Sequence, residues 1–96
     1  MTVFFSESAL SDLEEIIKHY SDEGVPHIGK AYVASIVKGT ETLPKNPDIG
    51  RMVPEFQDQK IRDLIHPPFR LVYLRESKSI HVVRVWRSER LLKLEN

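Results

Sequence analysis

Apolar residues recur every three or four positions in two stretches of the first half of the chain. The first stretch carries them at Ala9, Leu13, Ile16, Ile17 and Tyr20. That spacing places them on one face of a helix and predicts an amphipathic helix over residues 7–21. Ser6 is the expected N-cap, because its hydroxyl can accept a hydrogen bond from a free N–H of the first turn.

The second stretch predicts a helix over residues 26–43. Its recurring positions are Ile28, Tyr32, Ile36, Gly39 and Leu43. Pro26 suits the first helical position, where its missing N–H is no loss, and Pro44 and Pro47 end the helix. Gly39 has two readings, an ordinary helical residue, which we favour, and a position that allows close helix packing. Because only about four residues separate the two helices, they should form an antiparallel hairpin.

Runs rich in β-branched and aromatic residues predict strands in the remaining segments. These runs cover residues 2–5, 60–65, 69–75 and 80–86. The order β-α-α-β-β-β predicts an α+β fold, a helical hairpin packed on a small antiparallel sheet. The length indicates one domain over residues 1–96. Residues 88–94 are compatible with a last helical turn or an extra strand.

A two-residue loop in the last hairpin would pair Tyr73 with Val82 and Phe69 with Trp86. One sheet face would then carry Phe69, Leu71, Tyr73, Ile80, Val82 and Trp86. The other would carry Arg70, Val72, Leu74, His81, Val83, Val85 and Arg87. Both faces are substantially apolar, and the helices can cover only one. The second face would expose an apolar strip flanked by arginines, which indicates an obligate partner.

Charge is distributed unevenly along the chain. Residues 1–59 carry five Lys or Arg and ten Asp or Glu, whereas residues 60–96 carry nine and four. This asymmetry indicates a polar partner on the carboxy-terminal half. No apolar run approaches the ~20 residues of a membrane span. The acidic start does not resemble a signal peptide, so we expect a cytoplasmic protein.

The sequence carries no signal for a metal or another cofactor. It contains no cysteine, which excludes disulfides and thiolate chemistry. The four histidines are scattered without a pair at helical spacing, so we predict that the protein holds neither a metal nor a cofactor.

Residues 46–56, Asn-Pro-Asp-Ile-Gly-Arg-Met-Val-Pro-Glu-Phe, join the helical half to the strand half. We interpret them as a crossover that ends the second helix. Gly50 is expected to supply freedom in φ, and Pro54 to keep the preceding residue extended. Arg51 and Glu55 are expected to pair with each other or with neighbours.

Taken in order, these segments resemble the ParE/RelE superfamily of bacterial toxins. The matching residues are Pro47, Gly50-Arg51, Pro54-Glu55, Arg62-x-Leu64, Phe69-Arg70-x-x-Tyr73 and Val-Val-Arg-Val-Trp at residues 82–86. The resemblance covers nearly the whole chain. It implies a cytoplasmic toxin in a hetero-oligomer with a cognate antitoxin, whose carboxy-terminal segment wraps the toxin.

The superfamily contains two kinds of toxin. RelE-like members resemble ribosome-dependent mRNA endonucleases, in which a residue matching Arg70 contacts the phosphate. ParE-like members inhibit DNA gyrase. Asp63 stands where the nucleases carry lysines, and residues 87–96 lack the tyrosine or histidine that the nucleases use there. The zero net charge also disfavours rRNA binding, and all three departures favour the ParE-like reading.

We therefore predict a type II toxin that binds DNA gyrase, or gyrase-bound DNA, without chemistry of its own. The candidate partner-binding residues are Arg62, Arg70, Arg84, Trp86, Arg87 and Arg90. Charge reversal at Arg70 and Arg87 is expected to abolish toxicity and leave the fold intact. One alternative is an mRNA endonuclease with Glu55 as the base and Arg70 as the phosphate clamp. Another is a non-toxic module that binds only an antitoxin.

Overall fold

The computed structural model describes residues 1–53 and 56–87. Its elements are β1 (Thr2–Phe5), α1 (Glu7–Asp22), α2 (Pro26–Thr40), β2 (Arg51–Met52), β3 (Ile61–His66), β4 (Phe69–Arg75) and β5 (Ser79–Arg87). The strands form one sheet in the order β1-β5-β4-β3-β2. The candidates Glu55 and Arg90, and the predicted element at residues 88–94, lie outside the described residues.

The predicted α+β fold is confirmed, with two differences in the sheet. β1 runs parallel to β5, so the sheet is mixed rather than fully antiparallel. β2 was not predicted, because two residues are too few to show an alternating pattern. It pairs with β3 and forms the edge of the sheet.

Both predicted helices are present, and their ends follow from local chemistry. The Ser6 Oγ accepts a hydrogen bond from the Ala9 N–H at 3.0 Å, as expected of an N-cap. α2 ends at Thr40 rather than at residue 43, and turns follow it. Among the described residues, no helix is both long and apolar enough to cross a membrane.

Two glycines of α2 allow close packing, Gly29 against α1 and Gly39 against His66. A Cβ on Gly29 would lie 3.1 Å from the Cβ of Tyr20 on α1, so this glycine lets the helices approach closely. Gly39 lies against the imidazole ring of His66, which shares a hydrogen bond of 2.8 Å with Ser35. Gly39 therefore allows a close contact between α2 and His66 at the end of β3.

One apolar core lies between the helices and one face of the sheet. Its buried residues are Ala9, Leu13, Ile16, Ile36, Leu43, Phe69, Leu71, Tyr73, Ile80, Val82 and Val85. Removing these side chains from water is the main favourable term in folding. The core includes the apolar face predicted for α1, with Ala9, Leu13 and Ile16 fully or almost fully buried.

The predicted register of β4 and β5 holds only near their turn. Tyr73 pairs with Val82 as expected, but Val72 pairs with Arg84, which makes Val83 an extra residue on β5. Such a β-bulge bends the strand and shifts its side chains. The backbone N–H and the hydroxyl of Ser6 donate to the carbonyl oxygens of Val82 and Val83, both at 2.9 Å, and hold this bend.

The bulge reverses the expected orientations of Val85, Trp86 and Arg87, and Arg87 now pairs with Phe69. Beyond it, Val85 enters the core and Trp86 pairs with Arg70 on the opposite face of the sheet. The sequence pattern placed Trp86 with the core residues because strict alternation carries no signal for an inserted residue.

Candidate functional site

The sheet face turned away from the helices, which we call the open face, is built from three rows of paired residues. The first row is Ile65, Arg70 and Trp86. The second is Arg51, Asp63, Val72 and Arg84. The third is Ile61, Leu74, His81 and Phe4. Because paired residues point to the same side of a sheet, these side chains form one surface.

A buried carboxylate lies in the middle of the open face. Asp63 is fully buried, and its Oδ2 accepts a hydrogen bond from the Arg70 Nε at 2.6 Å. Its Oδ1 accepts another from the Arg51 Nε at 2.8 Å. A buried charge is tolerated only when it is paired in this way. Arg70 has only 7% of its side chain exposed, so it is part of the floor of this face.

Two guanidinium groups lie over the Trp86 ring. The Cζ atoms of Arg70 and Arg84 are 5.5 and 5.0 Å from the centroid of its ring. Guanidinium groups at this distance are attracted to the electron-rich ring face and hold it in place. Trp86 is only partly exposed.

Asp12 of α1 anchors Arg84. Its two carboxylate oxygens accept hydrogen bonds from the Arg84 Nε and Nη2 at 2.8 and 2.9 Å, and the Val85 N–H donates to it at 2.8 Å. Hydrogen bonding to Asp12 raises the pKa of the Arg84 guanidinium above its ordinary value. Arg84 is therefore a fixed positive charge where β5 extends beyond β1.

A groove of about 560 Å³ runs between α1 and the end of β5. Asp12 and Glu15 line its α1 side, and Arg84 and Arg87 line its β5 side. The Arg87 guanidinium lies 5.4 Å from the centroid of the Phe69 ring, and its Nη1 donates to the Tyr20 hydroxyl at 3.2 Å. Arg87 thus borders this groove rather than the open face.

Arg62 lies apart from the other candidate arginines. It is on the helix side of β3, paired with Tyr73. Its Nη1 donates to the Gly50 carbonyl at 2.9 Å and its Nε to the Gln59 carbonyl at 3.1 Å. Its Nε is also 3.5 Å from the Asp48 carboxylate. These contacts make Arg62 a support for the crossover segment.

The crossover at residues 46–53 is held by Tyr73. The Tyr73 hydroxyl accepts a hydrogen bond from the Gly50 N–H at 2.9 Å and donates one to the Pro47 carbonyl at 2.8 Å. A Cβ on Gly50 would lie 2.6 Å from the Asp63 carbonyl oxygen and 2.7 Å from the Tyr73 hydroxyl. Gly50 is therefore needed for close approach. The expectation about its φ was wrong, and Gly24 is the glycine with positive φ.

The comparisons with known proteins agree with this architecture. Residues 3–92 match the family of ParE toxins of type II toxin–antitoxin systems, parDE. The chain belongs to the ParE toxin family. No curated protein matches it.

Two solved structures are similar to this ParE-family chain. A chain of the chromosomal ParDE toxin–antitoxin system from P. aeruginosa has 25% identity and a TM-score of 0.75, with 91% of this chain and 95% of that chain covered. The conserved hypothetical protein HP0894 from Helicobacter pylori has 20% identity and a TM-score of 0.49, with 93% and 96% covered.

The structure of this ParE-family toxin brings some of the predicted site residues together. Arg70, Arg84 and Trp86 meet on the open face, whereas Arg87 borders the groove and Arg62 supports the crossover. The sequence pattern missed Asp12, because its partner Arg84 is 72 positions away along the chain. In residues 1–53 and 56–87, no three His, Cys, Asp or Glu side chains are grouped to hold a metal ion.

Proposed function

We propose that this ParE-family chain is a cytoplasmic toxin that inhibits DNA gyrase by binding to it. A cognate antitoxin neutralises it in a hetero-oligomer, and residues 1–96 act as one toxin domain. The family match over residues 3–92 supports the toxin assignment. The similarity at 25% identity to a chain of the P. aeruginosa ParDE toxin–antitoxin system supports an antitoxin partner.

The ion pair between Arg70 and Asp63 is the observation that favours binding over RNA cleavage. Arg70 matches the position whose side chain contacts the RNA phosphate in the RelE-like nucleases. A phosphate clamp needs an accessible cation whose charge is available to the transition state. The guanidinium of Arg70 is instead buried and shares the Asp63 carboxylate with Arg51. This arrangement suits a structural role for Arg70.

The groove at the end of β5 is the proposed contact with gyrase. Arg87 is partly exposed there, beside the aromatic rings of Phe69 and Tyr20. Arginine next to aromatic residues is common among the residues that dominate binding energy in protein interfaces. Arg84 and Trp86 also line this groove and extend the proposed contact.

Charge reversal at Arg70 is a poor test of this contact, because it would place a second carboxylate beside buried Asp63. Arg87→Glu is the sharper variant. Lys30→Glu is the matched control, since Lys30 is an exposed cation on α2. In a supercoiling assay with purified gyrase, we expect Arg87→Glu to weaken inhibition by about tenfold and Lys30→Glu to leave it unchanged. Equal inhibition by both variants would remove Arg87 from the contact.

Pulse-labelling after induction of this chain alone tests the target in cells. DNA and protein synthesis are followed separately. A fall in DNA synthesis first, with a DNA-damage response, is the result expected of a gyrase inhibitor. A first fall in protein synthesis, with discrete cuts in mRNA by primer extension, would instead assign the chain to the mRNA endonucleases. A chain that affects neither process would be a non-toxic module that binds only an antitoxin.

A further inference from the structure

A second groove, of about 480 Å³, lies at the opposite end of the sheet from Arg87, and we call it the crossover groove. Phe69 pairs with Arg87 and stands six positions before Arg75 on β4, so about 20 Å separates the two ends. The crossover groove is lined by residues from the crossover, from the start of β3 and from the end of β4. They are Asp48, Gln59, Lys60, Arg62, Arg75, Glu76 and Ser77.

Three cations converge on the crossover groove. Arg62 and Arg75 approach the same carboxylate oxygen, because their Nε atoms lie 3.5 and 2.7 Å from the Asp48 Oδ1. Lys60 is exposed beside them, and its carbonyl oxygen accepts a hydrogen bond from the Arg75 N–H at 2.7 Å. Together with Asp48 and Glu76, these cations give the lining one net positive charge.

The two guanidinium groups have defined positions in this groove. Arg62 donates from its Nε to the Gln59 carbonyl at 3.1 Å and from its Nη1 to the Gly50 carbonyl at 2.9 Å. The Nε of Arg75 is buried and has no hydrogen-bond acceptor in the part of the chain that the structure describes, although Asp48 is close enough for an ion pair. A buried donor without an acceptor is costly, and a bound oxyanion would supply one.

The crossover groove suits a phosphate group better than another carboxylate. Guanidinium groups bind both kinds of oxyanion through paired N–H bonds. Asp48 already gives the two arginines one carboxylate, and Lys60 adds a third cation. A terminal phosphate group has three acceptor oxygens and a charge of roughly −1.5 to −2 at pH 7, so it can contact all three cations. A phosphodiester of nucleic acid has one negative charge and two free oxygens, and matches them less well.

We propose that the crossover groove binds a terminal phosphate group, either free or on a small molecule, through Lys60, Arg62 and Arg75. The phosphate lies beside Asp48, whose carboxylate competes with it for the two guanidinium groups. A volume of about 480 Å³ leaves room for the group that carries the phosphate. Because this groove lies at the other end of the sheet from Arg87, the proposal does not depend on the proposed function.

Calorimetric titration of the full chain with inorganic pyrophosphate, in a buffer without divalent metals, tests the site. Lys60→Gln should raise the Kd by about tenfold, because it removes a charge-assisted hydrogen bond. Lys30→Gln is the matched control, since Lys30 is exposed on α2 and does not line the crossover groove. It should leave the Kd within about twofold of wild type, because charges far from the site are screened by salt. Absence of binding to wild type, or equal effects of the two variants, would overturn the proposal.

Asp48→Asn should change the affinity in the opposite direction. It removes the competing carboxylate and should lower the Kd for pyrophosphate by about fivefold, because two neighbouring oxyanions repel each other. Asp22→Asn alters the net charge equally, but Asp22 lies on α1 and does not line this groove, so the Kd should not change. If Asp48 only supports the structure, its substitution weakens binding. An unchanged or higher Kd for Asp48→Asn would therefore contradict the site.

Two further ligands define what the site recognises. Citrate that binds as tightly as pyrophosphate would overturn the preference for phosphate over carboxylate. ATP that binds at least as tightly as pyrophosphate would support a phosphate carried by a nucleotide. Weaker binding of ATP than of pyrophosphate would support a free inorganic phosphate as the ligand.

Discussion

At the scale of single residues, the Tyr73 hydroxyl fixes the crossover from helices to sheet. It bonds to both Gly50 and Pro47, 23 and 26 positions earlier in the chain. Gly50 allows the approach because it has no Cβ to collide with that hydroxyl. The buried Tyr73 side chain therefore holds this segment against the sheet, together with Arg62, which donates to the Gly50 carbonyl.

Tyr73→Phe should lower the free energy of unfolding by about 2 kcal/mol at pH 7, because it leaves the buried Gly50 N–H without its acceptor. Urea unfolding measures this change. Tyr32→Phe is the control, since the Tyr32 ring packs edge-on against Phe69 with centroids 5.3 Å apart. Equal stabilities of Tyr73→Phe and wild type would show that the hydroxyl contributes nothing to holding the crossover.

The same hydroxyl predicts a dependence of stability on alkaline pH. Burial raises the pKa of Tyr73 above its ordinary value of 10.0, although the hydrogen bond from Gly50 opposes this shift. The folded protein then holds the phenol proton more tightly than the unfolded chain does. The resulting contribution is complete below pH 10 and is lost as the pH rises from 10 through the folded pKa. Unfolding curves of wild type should show a steeper loss above pH 10 than those of Tyr73→Phe.

At the scale of elements, β3, β4 and β5 are linked across the open face by polar contacts. Asp63 on β3 binds Arg70 on β4, and Arg70 stacks on Trp86 of β5. Arg84 continues the series to Asp12 on α1. These contacts connect the open face of the sheet to α1.

Asp63→Asn should lower the free energy of unfolding by about 3 kcal/mol, because it removes the charge of the buried carboxylate that pairs with the Arg70 guanidinium at 2.6 Å. Asp22→Asn is the control. Asp22 pairs with Lys18 on the exposed side of α1, and solvent-exposed pairs of this kind contribute little to stability. Chemical denaturation compares the two variants. Similar small losses in both would mean that Asp63 does not stabilise Arg70.

The sequence pattern predicts some elements better than others for physical reasons. α1 follows from a strong apolar period, and its N-cap from Ser6. The bulge at Val83 does not follow from the sequence pattern, because it depends on where β1 ends and α1 begins. Trp86 was therefore placed on the wrong face. Arg70 and Asp63 lie on neighbouring predicted strands, but the pattern does not give the register that brings the two side chains into contact.

At the scale of the whole molecule, the acidic and basic halves of the chain pair with each other. Asp12 binds Arg84, and Asp48 lies 2.7 Å from Arg75. Arg51, a cation of the acidic half, binds Asp63, a carboxylate of the basic half. The charge asymmetry that indicated a polar partner is thus partly satisfied within the fold. The positive charge that remains available to partners lies at a few positions. These are the exposed guanidinium edges of Arg51 and Arg84, the groove at Arg87 and the crossover groove.

Arg87 lies at the groove and Ile65 on the open face, and only Arg84 and Trp86 belong to both regions. The open face is the apolar surface for which the sequence pattern predicts an obligate partner. The separation of Arg87 from Ile65 predicts different effects of variants at these two positions.

Antitoxin at about 100 times its Kd should raise the free energy of unfolding of wild type by about 2.7 kcal/mol, because it binds only the folded chain. Arg87→Glu should keep this increase and weaken gyrase inhibition by about tenfold. Ile65→Lys should retain gyrase inhibition, but an antitoxin affinity weaker by about tenfold reduces the increase to about 1.4 kcal/mol at the same antitoxin concentration. Thermal unfolding and supercoiling assays measure the two effects. If each variant loses both properties, antitoxin and gyrase share one surface, and the division between open face and groove is wrong.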